Sequence, residues 1–413
     1  NFLSVWYASN KNKRLLLRVR QKKTIGVAFQ MVHSSIWKFT SLYRLLEESS
    51  RFEPFIVICP LSKGSPEQVK KEYWLSKELC EANGYKYFEA VNDAGELSLS
   101  RIGMPCPDLV FIQNAWELTT RRYRSTAWTD SLKCYVPYFF TLNSLGSANY
   151  GKAFHKRLWR HFLETDVHLK MAKKYRRAYD PDNMRVTGYP GLDPLLFPSP
   201  TQDPWRNLHA ARSKSPRIIY APHHTISGSD SGLGYSTFER FADYILELAS
   251  NHSSDYQFAF KPHPLLHDKL VSHPDWGRER TEHYWASWKK LANCQVEEGE
   301  YTGLFLTSDA LIHDSNSFLA EYLATGNPAL FLSTKEDPAE HMNEVGREML
   351  SGHYVAKSEE EIVAFLSRLK PGGVVSPDPL GGRRAALVDK FLLHSSHTSA
   401  ADAIFNHLET ELS

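Results

Sequence analysis

The stretch TSDALIHDSNSFLAEYLATGNPALFL, Thr307–Leu332, reads as one complete strand–helix–strand unit. Asp309–Ile312 and Ala329–Leu332 are short apolar runs of strand character, and Ser317–Thr325 between them has a helical pattern. Two strands joined through a helix run parallel, because the crossover returns the chain to the same end of the sheet. The same alternation extends in both directions. Upstream, Thr24–Val32 (TIGVAFQMV) reads as a buried parallel strand, His33-Ser34-Ser35 as a loop and Ile36–Glu48 as an amphipathic helix. Strands follow at Phe55–Cys59, Asp108–Ile112, Cys134–Thr141, Asp166–Leu169 and Met184–Thr187, with a helix over Pro66–Asn83. After the unit's own half begins, Arg217–Ala221 (RIIYA) and Tyr256–Phe260 read as strands, and Ser236–Ser250 and Glu359–Leu369 as helices.

One segment breaks this rhythm. Gly188–Pro204 contains Pro190, Gly191, Pro194, Pro198, Pro200 and Pro204, too many breakers for the interior of any element. The expected architecture is therefore α/β, with two doubly wound Rossmann-like domains facing a cleft. Its parts are a basic lead-in over 1–22, a first domain over 23–195, a hinge over 196–215 and a second domain over 216–374. A helical tail over 375–413 is expected to cross back over the first domain. A length of 413 residues suits two such domains of about 150–200 residues each.

Bulk composition narrows the function. Hydrophobic content of 42% and charged content of 23% are those of a globular protein. A formal charge of +2 argues against a nucleic-acid partner bound by phosphate neutralisation. No window approaches the roughly 18 apolar residues of a membrane span, so membrane contact is expected to be peripheral. The basic cluster Lys11, Lys13, Arg14, Arg18, Arg20, Lys22 and Lys23 around Leu15-Leu16-Leu17 suits an anionic lipid surface, or simply a solvated helix. Cys59, Cys80, Cys106, Cys134 and Cys294 have neither disulfide-framework nor zinc-site spacing and suit a reducing cytoplasm. A start at Asn1 fits a truncated chain, and the cysteine pattern argues against a removed signal peptide.

In doubly wound sheets ligands bind beyond the C-terminal ends of strands. Four features there are unusually polar. Tyr220-Ala221-Pro222-His223-His224-Thr225 follows the RIIYA strand, and its imidazoles suit phosphate oxygens or proton transfer. No carboxylate at metal-ligand spacing accompanies the histidine pair, so no metal and no cofactor is expected. Lys261-Pro262-His263-Pro264 follows the next strand, its prolines fixing the backbone around His263. Ser308–Ser317 runs from a strand into a helix N-terminus, a natural anion site, with Ser315, Asn316 and Ser317 adding donors and Asp314 orienting the loop. Glu321, one turn into that helix, is placed to accept ribose hydroxyls. In the first domain His33 is the candidate general base on the cleft side, and Asn143 and Ser144 of Asn143-Ser144-Leu145-Gly146-Ser147 are acceptor-side candidates. Trp276, Trp285 and Trp288 read as packing, and Glu297-Glu298-Gly299-Glu300 as a solvated acidic turn.

The order of these motifs resembles the CDP-glycerol glycerophosphotransferase family, which builds teichoic-acid and capsular poly(polyol phosphate) chains. The matching residues are Gly188-Tyr189-Pro190-Gly191-Leu192-Asp193, Tyr220–His224, Lys261–His263 and Thr307–Leu332. The resemblance implies a glycosyltransferase-B type fold and a nucleotide-activated donor. It also implies a lipid-linked or polysaccharide acceptor at the inner face of the plasma membrane. It assigns the donor diphosphate to His263, Asn316 and Ser317 and the ribose to Glu321, where the family usually has aspartate. The acceptor hydroxyl is expected to attack the β-phosphorus of a CDP-polyol and release CMP, with Lys261, His223, His224 and Ser315 near the phosphates. One departure stands out: the family's Trp-His-Gly-Thr-Pro segment corresponds here to Thr141-Leu142-Asn143-Ser144-Leu145-Gly146, which has no histidine. Two other readings stay open, a glycosyltransferase using a CMP- or other nucleotide-activated sugar and a non-catalytic glycan- or nucleotide-binding module.

Overall fold

The computed structural model describes residues 2–62, 65–89, 105–116, 118–176, 180–200, 202–206, 215–227, 235–370, 373–374, 378–393 and 398–413. The chain divides into two compact units. The first comprises Asn1–Thr141, Leu145–Asp193 and Leu392–Ser413; the second comprises Leu142–Ser144 and Pro194–Phe391. Of the expected hinge, residues 201 and 207–214 lie outside the described residues.

Among the described residues, the first unit is built on seven parallel strands: β1 (Ile25–Met31), β2 (Phe52–Ile58), β3 (Tyr87–Glu89), β4 (Leu109–Ile112), β5 (Leu132–Tyr135), β6 (Arg160–Leu163) and β7 (Met184–Val186). Their order across the sheet is β3-β2-β1-β4-β5-β6-β7, with Val27 opposite Leu109 and Ile25 opposite Phe52. A strand covered on both faces needs a continuous apolar run, which β1 supplies, and Phe29 stacks on Phe111 at 5.0 Å. The second unit carries β8 (Arg217–Ala221), β9 (Gln257–Phe260), β10 (Cys294–Val296), β11 (Ala310–His313), β12 (Ala329–Leu332) and β13 (Tyr354–Ala356). Their order is β10-β9-β8-β11-β12-β13, again all parallel. Both units are therefore α/β, Rossmann-like sheets. In each, the strand order reverses once, beside β1/β4 in the first and β8/β11 in the second.

Several local expectations need correction. Asp166–Leu169 is not a strand: the strand is β6, and Asp166–Tyr175 is a helix whose N-cap, Thr165, accepts a bond from the His168 amide. The alternating polar and apolar residues of Asp-Val-His-Leu imitate a half-buried strand, but the cap overrides them. The helix expected from Ile36 begins only at Thr40, after a short 3-10 turn at Ser34–Ile36. The strand expected to reach Thr141 stops at Tyr135, two residues before Pro137, which has no N–H for the ladder. The tail splits: Gly381–Leu387 stays with the second unit, and Leu392 onward belongs to the first.

The Gly188–Asp193 motif has a structural task within the first unit. Gly188 holds φ +85°, and a Cβ there would sit 3.1 Å from the Ala400 Cβ, so the turn favours glycine twice over. The buried Asp193 carboxylate accepts from the amides of Ala400 and Ala401, each at 2.8 Å, at the start of the helix Ala400–Leu412. The N-terminal helix Phe2–Arg20 buries Val5, Leu15 and Val19. Part of its basic cluster serves the fold: Arg18 donates to the Asp130 carbonyl, Arg20 to that of Glu411 at 2.8 Å, and Lys22 pairs with Asp108 at 2.6 Å. No helix among the described residues is long and apolar enough to cross a membrane.

Candidate active site

In the second unit three post-strand loops meet where the sheet order reverses. The loops after β8 and β9 are tied by the His263 amide donating to the Pro222 carbonyl at 3.1 Å. Asp314, directly after β11, ties its own loop to the first of these. Its buried carboxylate accepts from the amides of His223 and Thr237, both at 2.6 Å, and from the hydroxyls of Ser236 and Thr237, both at 3.0 Å. Burial lifts the Asp314 pKa above the usual carboxylate value, and these donors hold it back. Asp314 is thus a positioning residue, occupied by the loop itself and not aimed at a ligand.

The result is a triad of half-buried imidazoles. Ring centroids lie 4.3 Å apart for His223 and His224, 4.1 Å for His224 and His263, and 4.9 Å for His223 and His263. Tyr235 stacks on His223 at 5.0 Å. All three rings are held neutral. Burial is the main cause, and neighbouring rings and lysines add to it, pulling His224 down to about 4 and the other two well below the usual histidine range.

Hydrogen bonds then decide where each ring keeps its proton. The Leu265 amide donates to His263 Nδ1 at 3.1 Å, and Lys269 Nζ, which can only donate, lies 2.8 Å from His224 Nδ1. A neutral ring that accepts at Nδ1 carries its hydrogen at Nε2. His263 and His224 are therefore N–H donors at Nε2. Among the described residues these three histidines are the one group whose ligand atoms, all within 4.8 Å of one another, have metal-site spacing. A metal would need bare inward nitrogens, and the observed bonds give two of the rings the opposite character. The triad fits an anion better than a cation.

The helix Asn316–Leu323 begins beside it. Ser315, its N-cap residue, is extended and its hydroxyl makes no capping bond, so the Ser/Asn/Ser run is not explained as an ordinary cap. The first amides of that helix and its dipole favour negative charge. Glu321 is buried, and its carboxylate accepts from the Tyr301 hydroxyl. Lys261 is buried as well; its Nζ donates to the Gly299 carbonyl at 2.9 Å and lies 5.1 Å from the Tyr301 ring centroid. Lys261, Tyr301 and Glu321 form one chain beside the imidazoles, so the segment Glu297–Glu300 contributes a backbone carbonyl and is more than a solvated turn. Trp276, Trp285 and Trp288 are core.

Sequence reasoning missed Lys269, Tyr235, Tyr301 and the Ser236-Thr237 pair. Ser236 and Thr237, just ahead of the helix Phe238–Asn251, carried the only local signal, since hydroxyls there invite a capping reading.

In the first unit His33 Nδ1 lies 3.2 Å from Glu72 Oε2, both side chains about one-fifth exposed. No hydrogen bond reaches Glu72 Oε2 among the described residues, so the pair is a charge contact, and a base here would act through Nε2. Asn143 and Ser144 lie in a segment that pairs with the second unit. Leu142–Ser144 clusters with the second unit: Asn143 bridges to Met342 in antiparallel fashion, and the Ser144 amide donates to the His341 carbonyl at 2.9 Å.

Acid should unfold the protein through its buried imidazoles. His224 and the buried His353 both drop from 6.5 to about 4, chiefly by burial. Below pH 6.5 the unfolded chain takes up protons that the folded chain refuses, so stability is full above about pH 7 and falls from pH 6.5 towards pH 4. For a fully buried ring such as His353 the loss is roughly 3 kcal/mol by pH 4. A melting temperature that stays level across that window would contradict this reading.

A family model described as CDP-Glycerol:Poly(glycerophosphate) glycerophosphotransferase matches residues 148–368. That span holds all three loops of the triad and the helix Asn316–Leu323. No curated protein matches the chain. Among solved structures, S. aureus MnaA with UDP aligns with a TM-score of 0.58 at 13% identity, covering 95% of this chain and 97% of the other. A UDP-GlcNAc 2-epimerase from Neisseria meningitidis bound to UDP-GlcNAc gives 0.55 at 14% identity, covering 94% and 100%. A variant of the wall teichoic acid polymerase TagF gives 0.54 at 14% identity, covering 98% and 94%. At such identities the likeness is one of fold, the glycosyltransferase-B type.

Proposed function

We propose that this chain, which belongs to the CDP-glycerol:poly(glycerophosphate) glycerophosphotransferase family, transfers a polyol phosphate from a CDP-glycerol-like donor to an acceptor hydroxyl in cell-surface polymer synthesis. The observation that carries the reading is the pair of Nε2–H donors, His263 and His224, beside an uncapped helix start at the sheet's reversal point. Donors fixed in advance around a diphosphate stabilise the charge that grows on it during transfer and need no reorganisation. The acceptor oxygen forms a bond to the β-phosphorus, the bond from that phosphorus to the bridging oxygen breaks, and CMP leaves with the electron pair. The acceptor's proton goes to a base, for which we propose His33, steered by Glu72. Asn316 and Ser317 amides, with Lys261 as a nearby charge, complete the proposed donor cradle, and Glu321 with Tyr301 is the proposed ribose contact. No step requires a metal.

Incubation with CDP-glycerol, CDP-ribitol and CMP-sugars, read by released CMP, tests this. Turnover of a CDP-polyol is expected. Turnover of CMP-sugars alone would replace the reading with sugar transfer, and binding without turnover would replace it with a binding module.

A lipid-linked acceptor would bring the protein to the inner face of the membrane. The helix Phe2–Arg20 exposes Phe2, Leu3, Trp6, Tyr7 and Leu17 together with Lys13 and Arg14, a combination suited to an anionic surface. Co-sedimentation with phosphatidylglycerol vesicles should fall as salt rises and be weakened by Trp6→Glu. Equal recovery with neutral vesicles would remove this contact.

A further inference from the structure

His313, the last residue of β11, is completely buried, and the proposed transfer gives it no part. Its ring is wedged on three sides. Phe331 on β12 meets it edge-on at 5.4 Å, His353 edge-on at 5.5 Å, and Phe318 of the helix Asn316–Leu323 at 6.4 Å. Burial keeps the ring neutral, with its pKa well below the usual histidine range, so it has one N–H to give. Nδ1 lies 3.0 Å from the Ser315 carbonyl oxygen, and Nε2 has no partner among the described residues. A carbonyl oxygen only accepts, so the hydrogen sits on Nδ1.

That bond decides where the next amide points. The Ser315 carbonyl and the Asn316 N–H belong to one planar trans peptide, in which the two groups point in opposite directions. With the oxygen turned inward to a buried imidazole, the N–H is turned away from it. The Ser315 hydroxyl makes no capping bond, so it does not hold this peptide. Asp314, one residue earlier, grips the amides of His223 and Thr237. Two consecutive buried side chains, His313 and Asp314, therefore fix consecutive parts of the turn from β11 into the helix.

We propose that His313 is a positioning residue for the donor site: by holding the Ser315 carbonyl it aims the Asn316 amide at the donor's diphosphate, without touching the ligand itself. This rests on the reading of that site as a diphosphate cradle. A ring that only fills space would serve the packing and leave the direction of the amide free. The two roles separate chemically. His313→Phe keeps a ring between Phe331, Phe318 and His353 but has no hydrogen to donate. His313→Asn places a side-chain N–H near the position of Nδ1 and gives up the ring.

The test is to measure melting temperature, CDP binding by calorimetry and CDP-glycerol turnover on the full chain and both variants. His313→Phe should melt closer to the unmodified protein than His313→Asn does. It should nevertheless bind CDP roughly tenfold more weakly, the worth of one misdirected hydrogen bond to a charged group. The concentration of CDP-glycerol needed for half-maximal rate should rise by a similar factor. His313→Asn should bind CDP close to the unmodified protein. His313→Leu removes the same donor should His313→Phe fail to fold. Binding that simply follows melting temperature, unchanged binding by the variant without the donor, or no binding of CDP by the unmodified protein overturns the inference. If the variants split as expected while no CDP-polyol is turned over, the transfer reading fails and the positioning role stands.

Discussion

Replacing His263 with alanine is expected to lower the turnover of CDP-glycerol by about a hundredfold or more, with donor affinity changed much less. The ring is fixed from three directions. Pro262 and Pro264 restrict its backbone, the Leu265 amide occupies Nδ1, and the His223 and His224 rings crowd it edge-on and tilted. Its neutral Nε2–H is therefore aimed before any substrate arrives. Removing one such preorganised donor typically costs a factor of about 10²–10³ in turnover. The effect belongs to the chemical step, because charge on the phosphate oxygens is greatest in the transition state. The residual rate should not recover when the substrate concentration is raised. A His263→Ala variant that melts like the parent and turns over normally would exclude His263 from the site.

The second large effect is expected at His33. As the proposed base it should contribute about 10²–10⁴ to turnover, and His33→Ala should lose that factor. Glu72→Gln separates catalysis from packing. It keeps the shape of the side chain at 3.2 Å from Nδ1 but removes the charge that steadies a protonated ring. A smaller loss, roughly tenfold, is expected, with little change in the concentration of CDP-glycerol needed for half-maximal rate. His33→Ala with an intact rate would assign the proton transfer elsewhere.

The parts of the fold that could be read from sequence were those with long apolar runs. β1 and β2, seven residues each and buried on both faces, announce themselves, as do the four-residue strands β11 and β12 that flank a clear helix. The strands β3, β10 and β13, three residues each, are too short for a period to emerge. Asp166–Tyr175 went the other way, since four alternating residues outweighed a threonine cap that only the neighbouring strand β6 makes obvious. For the site, His223, His224, His263 and Asp314 were legible because each directly follows a strand, where this class of sheet places its ligands. Lys269, Tyr235 and Glu72 were not. They reach their histidines from helices and loops whose approach is a tertiary fact, and a lysine at helical spacing looks the same whether it faces solvent or an imidazole.

The donor diphosphate is proposed to lie between two imidazole N–H groups and the start of the helix Asn316–Leu323. A crystal structure of the protein soaked with CDP measures that directly. Diphosphate oxygens within hydrogen-bond distance of Nε2 of His263 and His224 and of the Asn316 or Ser317 amide are the expected result. A metal ion bridging the three histidines, or CDP bound with its phosphates away from all of these groups, would contradict it.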